Sequence, residues 1–223
     1  MSWSRLQWIR GKTAIAERLA AGECGGAYAE AVIILSSAIS AIAADAWPGE
    51  RIDRKRFVEL FKDFCNPTLH PVRISVPLLI GYLRGSGKAA EERVIRERFM
   101  DFVPSRVLTG DDTDQEESTI LSCCPTLAPK EVREFSYANV LYREVRSAFV
   151  HQYRSGGKAD PWPLTEESED SISYGNWYGE PDRHIHFPVG WIRLVAESTA
   201  DAVDQKGSAI PMVHPVVWWI DGP

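Results

Sequence analysis

The stretch LYREVRSAFVHQYRSGG, residues 141–157, holds the side chains best suited to chemistry. Four residues separate Arg146 from His151, and Tyr153 follows two positions later. Histidine titrates near neutrality, so it can take up or release a proton under ordinary conditions. Arginine stays charged and offers a planar fork to phosphate oxygens. The pair therefore suits acid–base chemistry beside a phosphate. Arg143 and Arg154 add local positive potential. Residues 130–158 carry six basic side chains (Lys130, Arg133, Arg143, Arg146, Arg154, Lys158) and three acidic ones (Glu131, Glu134, Glu144). That reverses the sign of a chain whose net charge is −6. A plainer role fits the same residues: a histidine at a helix end caps the negative pole of the dipole, and an arginine on a helix face is solvated.

Other clusters are weaker. His184 and His186 share one face of a strand, with Asp182 on that face near the turn, but no third ligand has metal-site spacing. GYLRGSGK, residues 81–88, lacks the phosphate-loop spacing and reads as a loop between helices. GECGGAY, residues 22–28, reads as a helix start with close backbone packing.

The elements that position these residues are mostly helical. Residues 3–20 and 24–46 have helical spacing, the second with Ala27, Ala31, Ile34, Leu35, Ala38 and Ile42 on one stripe. Its alanines and serines let a neighbour approach closely, and Pro48 and Gly49 end it. Asp53 stands where an N-cap belongs, before Phe57, Leu60, Phe61 and Phe64 on one face. The proline-rich NPTLHPVRISVP is a connection, followed by helices at 78–84 and 88–102. Residues 109–119, TGDDTDQEEST, read as an acidic, flexible loop. Pro129 opens a helix that runs to Arg154 and stops at Gly156 and Gly157. SISYGNWY and RHIHFPV alternate around GEPD, which predicts a β-hairpin near 171–189. A helix over 190–205 follows, and the C-terminal VHPVVWWIDGP adds a short strand or packs its tryptophans on the body.

With 223 residues and no repeat, the chain suits a single domain, 1–223. The fold class is mainly α, a helical bundle with a small C-terminal β-hairpin. A pI of 5.4 argues against non-specific wrapping of nucleic acid but permits a local basic cleft. Cys24, Cys65, Cys123 and Cys124 form no CxxC pair, so neither a zinc ribbon nor a disulfide framework is expected. No signal peptide is visible, and the run 27–47 reads as too short and too polar to span a bilayer. A cytoplasmic protein with no membrane partner is expected.

The phrase FSYANVLYREVRSAFVHQYR, with the hairpin-then-helix ending, resembles the HEPN domain family, in one bacterial branch of it. The resemblance covers about residues 20–205, and its specific match lies in 135–154. It implies a helical bundle whose Arg146 and His151 form a catalytic pair in a cleft between two protomers, with Ser147 as the polar residue that follows the arginine. It implies an endoribonuclease that needs no metal or other cofactor, in a toxin or defence setting with an antitoxin partner. Tyr153 matches a tyrosine to which a partner nucleotidyltransferase attaches nucleotide in some family toxins. The family also has non-catalytic members, so an interaction or RNA-binding module is the alternative. Residues five apart on an ideal helix differ by about 140° in direction. Arg146 and His151 therefore converge only if the helix loosens or a second protomer supplies one of them, which favours a homodimer.

Overall fold

The computed structural model describes residues 4–100, 108–161, 170–176, 182–206 and 210–222. Helix α1 (Arg5–Ala20) starts at Ser4, whose hydroxyl accepts from the Gln7 amide. Helix α2 (Tyr28–Ala46) buries Ala31, Leu35, Ala38, Ile39 and Ile42. It packs against α1, α3 (Asp53–Phe64) and α11 (Val189–Gln205). The small residues of α2 let these helices close on it, as the stripe predicts. By length and composition α2 could cross a membrane, which corrects the expectation that it is too short and too polar. Half of that apolar stretch is buried inside the protein as a core helix.

The start of α2 lies four residues later than expected. Glu23–Gly25 forms a separate 3₁₀ turn, with Cys24 in the left-handed region at φ 55°. Gly26 passes so close to α1 that an added Cβ would lie 2.9 Å from Leu19 Cα. The expected tight packing is thus present there. Asp53 is the first helical residue of α3 rather than its cap, and it pairs with Arg56 one turn on. Phe57, Leu60, Phe61 and Phe64 are buried as the stripe requires. Each such side chain contributes about 1.5–3 kcal/mol of burial.

Helices α4 (Val76–Gly85) and α5 (Ala89–Phe99) follow the connection. Most of GYLRGSGK is the last turn of α4 rather than a loop, and the connection shrinks to Ser86–Lys88. Residues 101–107 are outside the described residues.

Residues 109–119 are not the flexible acidic loop that their composition predicts. Strand β1 (Leu108–Thr109) leads into helix α6 (Gly110–Thr113), and α7 (Glu117–Cys123) follows. The acidic side chains close the backbone locally: Asp112 accepts from the Thr109 amide, and Asp111 pairs with Arg73. Asp114 is buried. Composition cannot show that an aspartate is caged by hydroxyls from distant segments.

The long helix expected from Pro129 to Arg154 is broken. Helix α8 (Pro129–Arg133) ends, and α9 (Tyr137–Val140) begins after a turn at Ser136. The first amides of α9 donate to the proline-rich connection: Tyr137 N to Arg73 O at 3.0 Å, Ala138 N to Pro71 O at 2.9 Å. From α9 the chain runs on through a π-helical turn, Leu141–Ser147, into α10 (Ala148–Gln152).

Strands β2 (Ser173–Gly175) and β3 (His184–His186) pair antiparallel, with Tyr174 opposite Ile185. Strand β1 adds to the other edge of β2, so the hairpin becomes a three-stranded sheet in the order β1-β2-β3. Most of the GEPD turn lies outside the described residues. The C-terminus packs its tryptophans instead of forming a strand: Trp218 meets Trp47 edge-on, and Trp219–Asp221 is a 3₁₀ turn.

Candidate functional site

The segment Tyr137–Gln152 carries the sequence candidates. Leu141, Val145 and Phe149 anchor it in the core. Arg143, Arg146, His151 and Arg154 face outward to different degrees, with Arg143, His151 and Arg154 exposed and Arg146 half-buried. Leu141–Ser147 forms a π-helical turn, wider than an α-helical one, a geometry that recurs at functional sites. It rotates Arg146 relative to α9. From Ala148 the helix is α again, so the directions of Arg146 and His151 stay apart. No hydrogen bond joins the two among the described residues.

Arg146 is half-buried, and its Nε is buried with no hydrogen-bond partner. Its guanidinium carbon stands 5.2 Å from the centroid of the Tyr142 ring. Burial raises the pKa of Tyr142, and the Arg146 charge opposes that shift. Sequence reasoning missed Tyr142; its position four residues before the arginine was the available signal. The neighbouring cations are engaged. Arg143 pairs with Glu134 at 3.1 Å, and Arg54 donates to Asn139 Oδ1 at 2.7 Å and pairs with Glu134. Arg154 donates to Gln152 Oε1 at 3.1 Å. Ser147 is half-buried.

The glycines do not end the helix. Tyr153 does, in the left-handed region at φ 55°, its amide donating to Phe149 O at 3.0 Å. That region is costly for a bulky side chain. Tyr153 is 61% exposed, and Val150 is exposed as well. The chain then folds back, and Gly156 N donates to Glu144 O at 2.7 Å. A Cβ on Gly156 would lie 3.0 Å from Glu144 Cα, so glycine is needed here for close approach.

A second cluster surrounds Asp114. Its Oδ2 accepts from the Tyr137 and Tyr174 hydroxyls, and its Oδ1 from Val76 N at 2.9 Å and Thr113 Oγ1 at 3.0 Å. Tyr174 Oη also lies 2.9 Å from Ser75 Oγ. Burial pushes the carboxyl up to about 7, against the lowering effect of those donors. The cluster ties α4, α6, α9 and β2 together. An open cavity of about 220 Å³ borders it, lined by His70, Arg73, Asp111, Tyr137, Asp170 and Trp191 among others.

The histidine pair is divided by its surroundings. His186 is buried, its Nδ1 2.9 Å from Asp160 O and its ring 5.3 Å from that of Tyr28. Burial lowers its pKa. It is a packed core histidine. Asp182 instead pairs with Arg84 at 2.7 Å. Among the described residues no group of three His, Cys, Asp or Glu side chains could hold a metal ion.

Family models, curated proteins and solved structures offer no match to this chain.

Proposed function

We propose that the chain is a metal-independent endoribonuclease of HEPN type, acting as a homodimer with Arg146 and His151 at a cleft between protomers. One observation supports it most. Three arginines have a buried, unbonded Nε: Arg5, Arg146 and Arg183. Arg5 and Arg183 reach protein acceptors through their other nitrogens. Arg146 makes no hydrogen bond or ion pair among the described residues and lies over the Tyr142 ring. A half-buried guanidinium without an acceptor carries a desolvation cost, and an incoming phosphate would remove it.

In this reading His151 takes the proton from a ribose 2′-hydroxyl. The 2′-oxygen attacks the adjacent phosphorus, the bond to the 5′-oxygen breaks, and that oxygen takes up a proton from solvent while His151 releases its own. Arg146 stabilises the charge on the phosphate oxygens. The products are a 2′,3′-cyclic phosphate and a 5′-hydroxyl. The exposed Val150 and Tyr153 beside the motif are suited to a protomer interface. A cytoplasmic toxin or defence setting, with an antitoxin or nucleotidyltransferase partner, belongs to the same reading.

The separation of Arg146 from His151 within one chain favours a second reading, a non-catalytic RNA-binding module. Incubating the purified protein with RNA and excess chelator decides between them. Cleavage with 2′,3′-cyclic ends supports the nuclease; binding without cleavage supports the module.

A further inference from the structure

A cleft of about 600 Å³ opens between the end of α4, helix α8 and the turn after α10. That volume is in the range of small-ligand sites. Its wall is aromatic: the Tyr82 ring lies 5.2 Å from that of the buried Phe135. Its rim is basic, with Lys88, Lys130, Arg143 and Lys158 against two carboxylates, Glu131 and Glu134. Those two carboxylates are already used. Lys88 Nζ donates to Glu131 Oε2 at 2.7 Å, and Arg143 pairs with Glu134. Lys130 is exposed and makes no ion pair among the described residues. The Lys158 ammonium makes none either and stands 5.4 Å from the Phe135 ring centroid. Two cations without a carboxylate partner therefore flank an aromatic wall.

Such a pairing of stacking surface and free cations matches one ligand chemistry, an aromatic base joined to a phosphate. Arg143 lines the cleft and sits three residues before Arg146, about one helical turn away. We infer that this cleft holds a nucleotide unit of the RNA strand beside the scissile phosphate. The base stacks against Tyr82, and the phosphate lies on Lys130 and Lys158. This inference rests on the reading of the chain as an RNA-acting protein. A free nucleotide has the same chemistry and is the other source of such a ligand.

The test uses the full chain and two probes: a fluorescent 2′-O-methyl RNA oligonucleotide, which lacks the attacking hydroxyl, and adenosine monophosphate. Wild-type protein should bind the oligonucleotide. Lys130→Glu with Lys158→Glu should weaken binding at least roughly tenfold and reduce the salt slope by about 0.7 for each lost phosphate contact. Tyr82→Ala should weaken binding roughly fivefold to a hundredfold. If Tyr82→Ala fails to fold, the exposed Lys130→Glu alone carries the test. Binding of the mononucleotide, measured calorimetrically, without strand binding would assign the cleft to a free nucleotide and overturn the strand. Wild-type affinity in the lysine variants, or no binding by the wild type to either probe, would overturn the inference as a whole. The nuclease reading fails separately. A protein that binds through this cleft but never cuts RNA keeps the cleft and loses the nuclease. A protein that cuts RNA equally well with both lysines reversed keeps the nuclease and loses the cleft.

Discussion

Arg146 lies over the ring of Tyr142, with 5.2 Å between guanidinium carbon and ring centroid. Tyr142 itself packs edge-on against the core residue Phe57, 5.3 Å between ring centroids. The arginine is thus held against the core through an aromatic face rather than through a carboxylate. Such a contact is worth about 0.5–2 kcal/mol, and it leaves the guanidinium hydrogens unused. A carboxylate partner would have occupied them.

His151→Ala and Arg146→Ala should each reduce RNA cleavage by about 10²–10⁴-fold, with helical content unchanged. Initial rates on a fluorogenic RNA in excess chelator, alongside circular dichroism, check this. Wild-type rates in both variants would remove the proposed site.

A heterodimer of one Arg146→Ala chain and one His151→Ala chain should regain activity above either mutant homodimer. One pair, built from the intact arginine of one protomer and the intact histidine of the other, survives in it. Differently tagged chains, purified through both tags and assayed for cleavage, provide the measurement. A heterodimer as inactive as its parents means that each site lies within one chain.

Tyr153 should accept a nucleotide when the protein is co-expressed with a nucleotidyltransferase encoded beside it. The exposed ring leaves room for such a group, and the added negative charge would oppose RNA phosphate. Intact-mass analysis would show the adduct, and Tyr153→Phe should lack it. An unmodified Tyr153 in a neutralised protein argues against this control.

Asp114→Asn should gain stability relative to wild type as pH rises. The folded carboxyl has its pKa raised to about 7 by burial, above its ordinary value of 3.8. Between those values the folded state binds more protons than the unfolded state, so this group's contribution to stability falls as pH rises. Below the window both states are protonated, and above it both are ionised with the burial cost fully present. Asparagine cannot ionise, so the difference between variant and wild type should move in favour of the variant from pH 4 to 8. Urea unfolding across that range measures it, and a pH-independent difference would contradict the assignment.

Gly156→Ala should destabilise the protein by about 1–3 kcal/mol, the usual cost of forcing atoms into a filled space. The new methyl would meet the Glu144 backbone, which cannot swing aside as a side-chain tip could. Thermal unfolding checks this. Gly157→Ala serves as the control, since nothing lies within 4 Å of its added Cβ.

Periodicity in the sequence determined the elements whose stability comes from one buried face. The stripe Phe57, Leu60, Phe61, Phe64 and the small-residue face of α2 are legible because a 3.6-residue repeat has only one helical solution. The alternation around Tyr174 and Ile185 likewise gave the hairpin, and the basic bias of 130–158 marked the segment that bears Arg146 and His151. Tertiary structure decided what depends on partners distant in sequence. Helix α8 ends and α9 restarts because Pro71 and Arg73 carbonyls cap Tyr137 and Ala138 from another segment. Residues 109–119 are ordered because Tyr137, Tyr174 and Val76 satisfy Asp114, some 23 to 60 positions away. The cleft joining Tyr82 to Lys130 and Lys158 arises in the same way. Each is fixed by contacts between segments, and local composition carries no record of such contacts.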